Sequence, residues 1–430
     1  MKDRQTPHKK LSVLMVAACP FPANYGSPAS IREMSDTLAS FGHEVHILTY
    51  PFGDDLPVHH AQVHRIPDLG WSKSITVGPT LQKPLLDLMM VFSACHLIWE
   101  HRCDVIHAHN YEGALVGLCA KILTRRPLLY NAVNSMTDEL PGYKFIRPAF
   151  LAKWLAAVLD WFVPRFPDHI TTVSPELKEE LEQWGIPPEK ITVVPAGVVP
   201  EMFERAGDRT RFRKALRIQE EQVVLYTGTL DPFQRIDYLF EAFARLAPES
   251  PHTLLLMVSP FTKPAHRQVL DTLAAKLGIA GQIRWVESHP LEDLPDYLAM
   301  ADVAVAPRPN CPGHPVKLLN YMCARLPIVV AAGAAKGIRH MGNGFICKDH
   351  ASDDLARGIL VLLRDRGTAQ RLGQAAYQTI LEEFDWRILC RRVEALYYQL
   401  SAENAPVLLH SSAISASALA DNVLATKKFP

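Results

Sequence analysis

Apolar and polar positions alternate along this chain in long, regular blocks. Residues 11–19 form a continuous apolar run apart from Ser12, the pattern of a parallel strand covered on both faces. A loop over 20–26 leads into a helical pattern with Ser27 as N-cap and Pro28 as first helical residue, closing at Gly42. Residues 45–49 read as the next strand, giving a strand–loop–helix–strand unit whose crossover is right-handed. Further strand-like runs lie at 104–109, 127–133, 168–173 and 191–194. Helical stretches of ten or more residues separate them, so the spacing predicts a parallel, doubly wound sheet.

The pattern then begins again. Strands are predicted at 223–228, 253–258, 283–286, 301–306 and 328–332, with a helix at 238–246. A linker at 200–208 separates the two halves. The expected architecture is α/β, with two Rossmann-like doubly wound parallel-sheet domains facing a cleft, and ligands beyond the carboxyl ends of the strands. The division reads as a polar extension at 1–10, domains at 11–200 and 201–383, a helix at 384–400 and a tail at 401–430. That tail is rich in Ser, Ala and Asn, has little periodicity and is expected to be mobile.

Composition narrows the function classes. The chain has 430 residues, enough for two cores, and 45 basic against 45 acidic residues, so charge gives no argument for a nucleic-acid partner. Its 8 cysteines form no CxxC pairs; Cys119, Cys323 and Cys390 fall in apolar helical patterns and are expected to be buried, reduced thiols in a cytoplasmic protein. The run at 11–19 is too short for a membrane span and lacks a small-residue cleavage site, so neither secretion nor membrane spanning is expected.

The most informative stretch is 314–330, His-Pro-Val-Lys-Leu-Leu-Asn-Tyr-Met-Cys-Ala-Arg-Leu-Pro-Ile-Val-Val. It reads as a loop, a short amphipathic helix opened by Pro315, and a buried strand. The free N–H groups of a helix start attract anions, and Lys317 sits in that first turn, so the segment reads as a phosphate-binding corner. It resembles the nucleotide-binding segment of retaining GT-B glycosyltransferases of family 4. Segments matching in order support this: Gly42-His43-Glu44-Val45, Asp104 to His109, Thr172-Val173-Ser174, Val193-Val194-Pro195 with Gly197, Tyr226 to Leu230, and Ala301-Asp302-Val303. The resemblance spans about residues 11–400, and implies that the helix at 386–400 crosses back to the first domain.

Several candidate site residues follow. Gly26 and Ser27, at the first strand-to-helix turn, allow close approach of backbone to a diphosphate. His107 and His109 are expected on opposite faces of their strand, a poor arrangement for sharing a metal ion, with His109, nearest the carboxyl end, facing the reacting sugar or the acceptor as the catalytic candidate. No Asp-x-Asp metal motif is present; Asp54-Asp55 is read as a solvated loop pair. The resemblance implies an Arg and a Lys for the donor diphosphate where this chain has Thr229 and Gln234; Arg235, Arg308 and Lys317 are the cationic alternatives. His314 belongs to the same expected site. Asn320 stands where the family's Glu holds the nucleotide ribose, and its amide still donates and accepts hydrogen bonds. The earlier acidic position falls in Asn310-Cys311-Pro312-Gly313-His314, and Asn134 replaces a His of some relatives.

The resemblance therefore implies a retaining, metal-independent glycosyltransferase without a cofactor, using a nucleotide-sugar donor, UDP- or GDP-linked. The acceptor is unidentified, with lipid-linked and polysaccharide acceptors both considered. A catalytically inactive GT-B subunit that binds a partner or a nucleotide is the alternative, and a GT-B epimerase a more distant one. Aromatic stretches at 85–99 and 150–166 admit peripheral contact with the inner face of a membrane, but helix packing is the expected explanation.

Overall fold

The computed structural model describes residues 9–23, 26–68, 70, 82–140, 148–203, 208–219, 221–259, 263–287, 293–309, 311 and 315–403. Two sheets emerge among them. The first contains β1 (Ser12–Ala17), β2 (Glu44–Thr49), β3 (Gln62–Arg65), β4 (Val105–His109), β5 (Leu128–Ala132), β6 (His169–Thr172) and β7 (Ile191–Val193), in the order β3-β2-β1-β4-β5-β6-β7. The second contains β8 (Gln222–Thr227), β9 (Thr253–Ser259), β10 (Ile283–Glu287), β11 (Val303–Ala306), β12 (Ile328–Ala331) and β13 (Phe345–Cys347), in the order β10-β9-β8-β11-β12-β13. Every pairing between these strands is parallel. Each sheet is buried on both faces, which is why its central strands read as continuous apolar runs.

Strand order reverses between β1 and β4 in the first sheet and between β8 and β11 in the second. At such a switch point neighbouring helices leave on opposite faces and open a crevice beyond the carboxyl ends. Those two crevices are where the candidate residues gather.

The helix Trp386–Glu403 belongs to the second half by sequence but packs on the first sheet. Trp386, Leu389, Cys390, Val393 and Tyr397 share a core with Val13, Met15, Ile31 and Leu38. The two segments of chain that pass between the sheets run side by side: Val198 forms a parallel bridge with Asp385, its N–H donates to the Phe384 carbonyl at 2.9 Å, and the Trp386 N–H donates to the Val198 carbonyl at 3.1 Å. A Cβ at Gly197 would lie 2.6 Å from the Trp386 ring, so the crossing needs glycine there. The Trp386 indole N–H donates to Glu33 at 2.8 Å on the helix Gly26–Ser40.

Four expectations are corrected. Helix Gly26–Ser40 begins at Gly26, which puts Ser27 inside its first turn instead of at the cap. His107 and His109 share one face, with ring centroids 4.3 Å apart, because positions two apart on a strand return to the same side. Cys119 is exposed. The aromatic residues of 150–166 are largely outside the core, as Phe150 (72% exposed), Trp154 (61%) and Trp161 (56%) demonstrate. The last helix runs through Glu403, and most of the expected tail lies outside the described residues. No helix of the described residues is long and apolar enough to cross a membrane.

Trp386→Ala is expected to destabilise the chain by about 3–5 kcal/mol, because it empties a site that is only 1% exposed and removes the bond to Glu33. Denaturant unfolding of the two proteins measures it.

Candidate functional site

In the first domain the crevice forms where the turn after β1 meets the turn after β4. Gly26 adopts φ +51°, a conformation glycine enters without strain, and a Cβ there would meet no described atom within 4 Å. Ser27 Oγ donates to Asn110 Oδ1 at 3.1 Å, and Asn110 itself takes φ 62° as the helix Asn110–Thr124 begins. This pairing joins the two turns. Lys83 pairs with Glu112 at 3.0 Å beside them.

His109 lies beneath this corner. Its side chain is fully buried; Asn131 Nδ2 lies 3.1 Å from its Nδ1, and Asn131 in turn accepts from Thr171 Oγ1 at 3.2 Å. His107 behind it meets Tyr397 of the crossing helix at 2.7 Å. Burial pushes the His109 imidazole down to about 3, so it is neutral across the physiological range. An Nδ1 that accepts from Asn131 leaves the proton on Nε2, and Nε2 has no hydrogen-bond partner among the described residues.

In the second domain the crevice centres on the ammonium of Lys317. The helix Val316–Cys323 is capped by Pro315, in extended conformation, and Lys317 is its second residue. Its Nζ donates to Tyr226 Oη at 2.9 Å and to Gln234 Oε1 at 3.0 Å, and sits 4.1 Å from the centroid of the Tyr226 ring. The Tyr226 hydroxyl in turn donates to the Thr229 carbonyl at 2.8 Å. The turn after β8 can come this close only because it opens with Gly228, at φ +128°, where a Cβ would lie 2.7 Å from Nζ. Thr229 and Gln234, the positions where an Arg and a Lys were expected, thus become the neutral cradle of a cation supplied by another helix.

Tyr321 fastens that helix to β8: its hydroxyl accepts from the Thr227 N–H at 2.7 Å and lies 3.0 Å from Thr227 Oγ1. Asn320, next to it, is half-buried. Arg308 follows β11, with its guanidinium 4.8 Å from the centroid of Phe233. Burial first, and the charge of Arg308 second, push the Lys317 ammonium down to about 7.

Arg235 is placed differently. It adopts φ 54° at the start of the helix Ile236–Leu246, bonds Asp237 from Nε at 3.0 Å and from a terminal nitrogen at 2.7 Å, and stacks 3.5 Å from the Tyr238 centroid. Its charge already has a partner, whereas both hydrogen-bond partners of Lys317 are neutral. His314, and the segment that replaces the family's first acidic position apart from Cys311, lie outside the described residues. Three participants escaped the reading of the sequence: the Ser27–Asn110 pair, Tyr226 and the supporting role of Tyr321. Only Asn110 carried a hint, as a polar residue directly after a strand end.

Comparison with known proteins follows the same division. A model described as "Glycosyltransferase Family 4" matches residues 26–202, and one described as "Glycosyl transferases group 1" matches residues 208–379. A D-inositol 3-phosphate glycosyltransferase of Kribbella flavida is 26% identical over 397 residues, covering 86% of this chain and 90% of that protein. The structure resembles sucrose-phosphate synthase from Thermosynechococcus elongatus, with TM-score 0.75, 20% identity, and 92% of this chain and 100% of that chain covered. It also resembles Anabaena HepE in complex with UDP and glucose, with TM-score 0.71, 19% identity, and 90% and 100% covered.

Proposed function

This chain belongs to the group 1 glycosyltransferases, of GT-B fold, and from that premise we propose that it moves a sugar from a nucleotide-sugar donor to an acceptor hydroxyl with retention of configuration. The observation that carries the reading is the Lys317 ammonium: a cation taken out of water, beside Arg308, whose hydrogen-bond partners Tyr226 and Gln234 are both neutral. A diphosphate supplies the missing negative charge. UDP or GDP would then lie beyond the carboxyl ends of β8 and β11, with its phosphates at the start of helix Val316–Cys323 and its ribose on Asn320. HepE, solved with UDP and glucose, gives precedent for such a ligand on this fold.

In the reaction the bond between the anomeric carbon and the diphosphate oxygen breaks, the acceptor oxygen bonds to that carbon from the same face, and the acceptor proton passes to the departing phosphate. The protein positions the partners and offsets charge on the leaving group. Lys317 and Arg308 do the latter. Gly26 and Ser27, joined to Asn110, would approach the donor diphosphate from the first domain, and the buried, neutral His109 holds Asn131 and the strand end beneath them, a positioning role. Arg235, bound to Asp237, keeps the turn after β8 in place.

The acceptor is proposed to be lipid-linked. The helix Ala149–Phe162 turns Asp160 inward to accept from the N–H groups of Met136 and Thr137, each at 2.8 Å, and leaves Phe150, Trp154 and Trp161 outside. Phe166, Ile122 and Leu123 are exposed as well, and Lys121 donates to the Phe166 carbonyl at 2.9 Å, which keeps the two groups together. With Lys153 exposed and Arg165 over the Trp161 ring, this face suits the headgroup region of a cytoplasmic membrane surface.

Three outcomes are expected. Donor binding should take up a proton at pH 8, because free Lys317 titrates near 7 and a bound diphosphate raises it; affinity therefore falls as pH rises above 7. Calorimetry of UDP or GDP in two buffers of different ionisation enthalpy reads the uptake, and Lys317→Met should abolish it and weaken binding by roughly 1.5–3 kcal/mol. Asn320→Ala should weaken donor binding and slow transfer together, while Asn320→Glu retains both; a wild-type protein that binds no sugar nucleotide would hand the argument to the inactive-subunit reading. In flotation with anionic vesicles, the wild type should rise with the lipid and the Trp154→Glu, Trp161→Glu double variant should stay behind.

A further inference from the structure

At the amino-terminal end of β2, away from the donor cleft, three imidazoles converge from separate parts of the chain. His46 lies on β2, His64 on the edge strand β3, and His101 directly after the helix Lys83–Glu100. His46 Nδ1 and His64 Nε2 are 3.1 Å apart. The ring of His101 stacks on that of His46, with centroids 3.9 Å apart and planes 21° apart, and one nitrogen from each of the three lies within 4.8 Å of the others. Two carboxylates stand behind them: Glu44 Oε1 is 3.3 Å from His46 Nε2, and Glu100 Oε2 is 3.8 Å from His101 Nε2.

Imidazole nitrogens about 2.0–2.1 Å from a tetrahedral ion are about 3.3 Å from one another, close to the His46–His64 separation already present. The nitrogens now lie within 4.8 Å of one another, so the His101 ring must turn out of its stack on His46 to bring its nitrogen in to that spacing. His101 can do so, since it follows a helix end and its side chain is 22% exposed, whereas the His46 side chain is wholly buried and serves as the fixed ligand. A His46 that offers Nδ1 to the ion carries its proton on Nε2, which makes no hydrogen bond among the described residues; Glu44 Oε1, 3.3 Å away, is the carboxylate that a small side-chain rotation would bring onto it, as a carboxylate orients a metal-bound imidazole. Nitrogen ligands of this type select borderline transition metals over magnesium or calcium.

We propose that His46, His64 and His101 form a binding site for one divalent transition-metal ion of the zinc class. The ion would tie β3, an edge strand of four residues, and the end of helix Lys83–Glu100 to β2, stabilising the outer side of the first domain. It takes no part in sugar transfer, so the inference does not rest on the proposed function.

The test uses the untagged, full-length protein after dialysis against EDTA. Calorimetric titration with zinc chloride should give one ion per chain and a raised melting temperature, with no response to magnesium chloride. Cobalt chloride should produce the visible absorption of a tetrahedral site. His64→Ala and His101→Ala, both at partly exposed positions, should keep the far-UV circular dichroism of the metal-free protein and weaken zinc roughly tenfold or more. A His59→Ala, His60→Ala double variant, changing an exposed pair nearby, should bind as the wild type does. The proposal is overturned if no zinc binds, if His64→Ala and His101→Ala bind it unchanged, or if the His59/His60 variant is the one that loses it.

Discussion

The structure turns on a short pairing of two chain segments. Residues 197–199 leave the first sheet and residues 384–386 return to it, and the bridge between Val198 and Asp385 holds them side by side. Trp386 locks this crossing from beneath, with its ring where a Gly197 side chain would be and its indole N–H on Glu33. Burial pushes the Glu33 carboxyl up to about 7, against the opposing pull of the Trp386 hydrogen bond and the Arg32 charge, so the anchor changes its charge around neutral pH. Because both connections pass through one place, it governs how the crevice at β1 and β4 meets the crevice at β8 and β11. His107 couples the same helix to the crevice of the first domain through Tyr397.

Within the second crevice, the organising principle is a cation in neutral surroundings. An ammonium paired with a carboxylate would be settled before any donor arrived, as Arg235 is by Asp237. Lys317 instead has a phenol and an amide, which hold its position without cancelling its charge. The cost is visible in its proton affinity, lowered to about 7, and it is the cost that a phosphate group would relieve. Gly228 makes the arrangement possible by leaving room for Nζ above the backbone.

What was legible in the sequence was what periodicity controls. Continuous apolar runs marked the central strands of both sheets, because burial on two faces leaves no polar position to interrupt them. The edge strands β3 and β13 left no such mark: Gln62–Arg65 and Phe345–Cys347 are only four and three residues long, and β3 is polar at every position but Val63 and incompletely covered. The helix Ala149–Phe162 misled for the opposite reason, since its exposed Phe150, Trp154 and Trp161 give a surface helix the composition of a core one. Lys317 could be placed in a first turn from Pro315, but its partners Tyr226 and Gln234 lie 91 and 83 residues away, a separation no local pattern encodes. The convergence of His46, His64 and His101 was invisible on the same ground.

The departures from the family pattern make more sense together than singly. The resemblance implies two cations and two carboxylates at the donor site, and this chain lacks an Arg and a Lys at Thr229 and Gln234, a Glu at Asn320 and the earlier carboxylate in the segment 310–314. Losing the cations alone would weaken the hold on a diphosphate. Losing a carboxylate alongside them removes a group that would both repel that diphosphate and compete for the remaining positive charge. Gln234 keeps a direct part in the result, since it receives the ammonium that Lys317 brings from the neighbouring helix. Gly228 leaves room for that ammonium and Tyr321 fastens its helix to Thr227, so the position of Lys317 is fixed from two sides. The donor site proposed above therefore rests on one cation held by neutral groups, a phenol and an amide that fix its position and leave its charge for a phosphate.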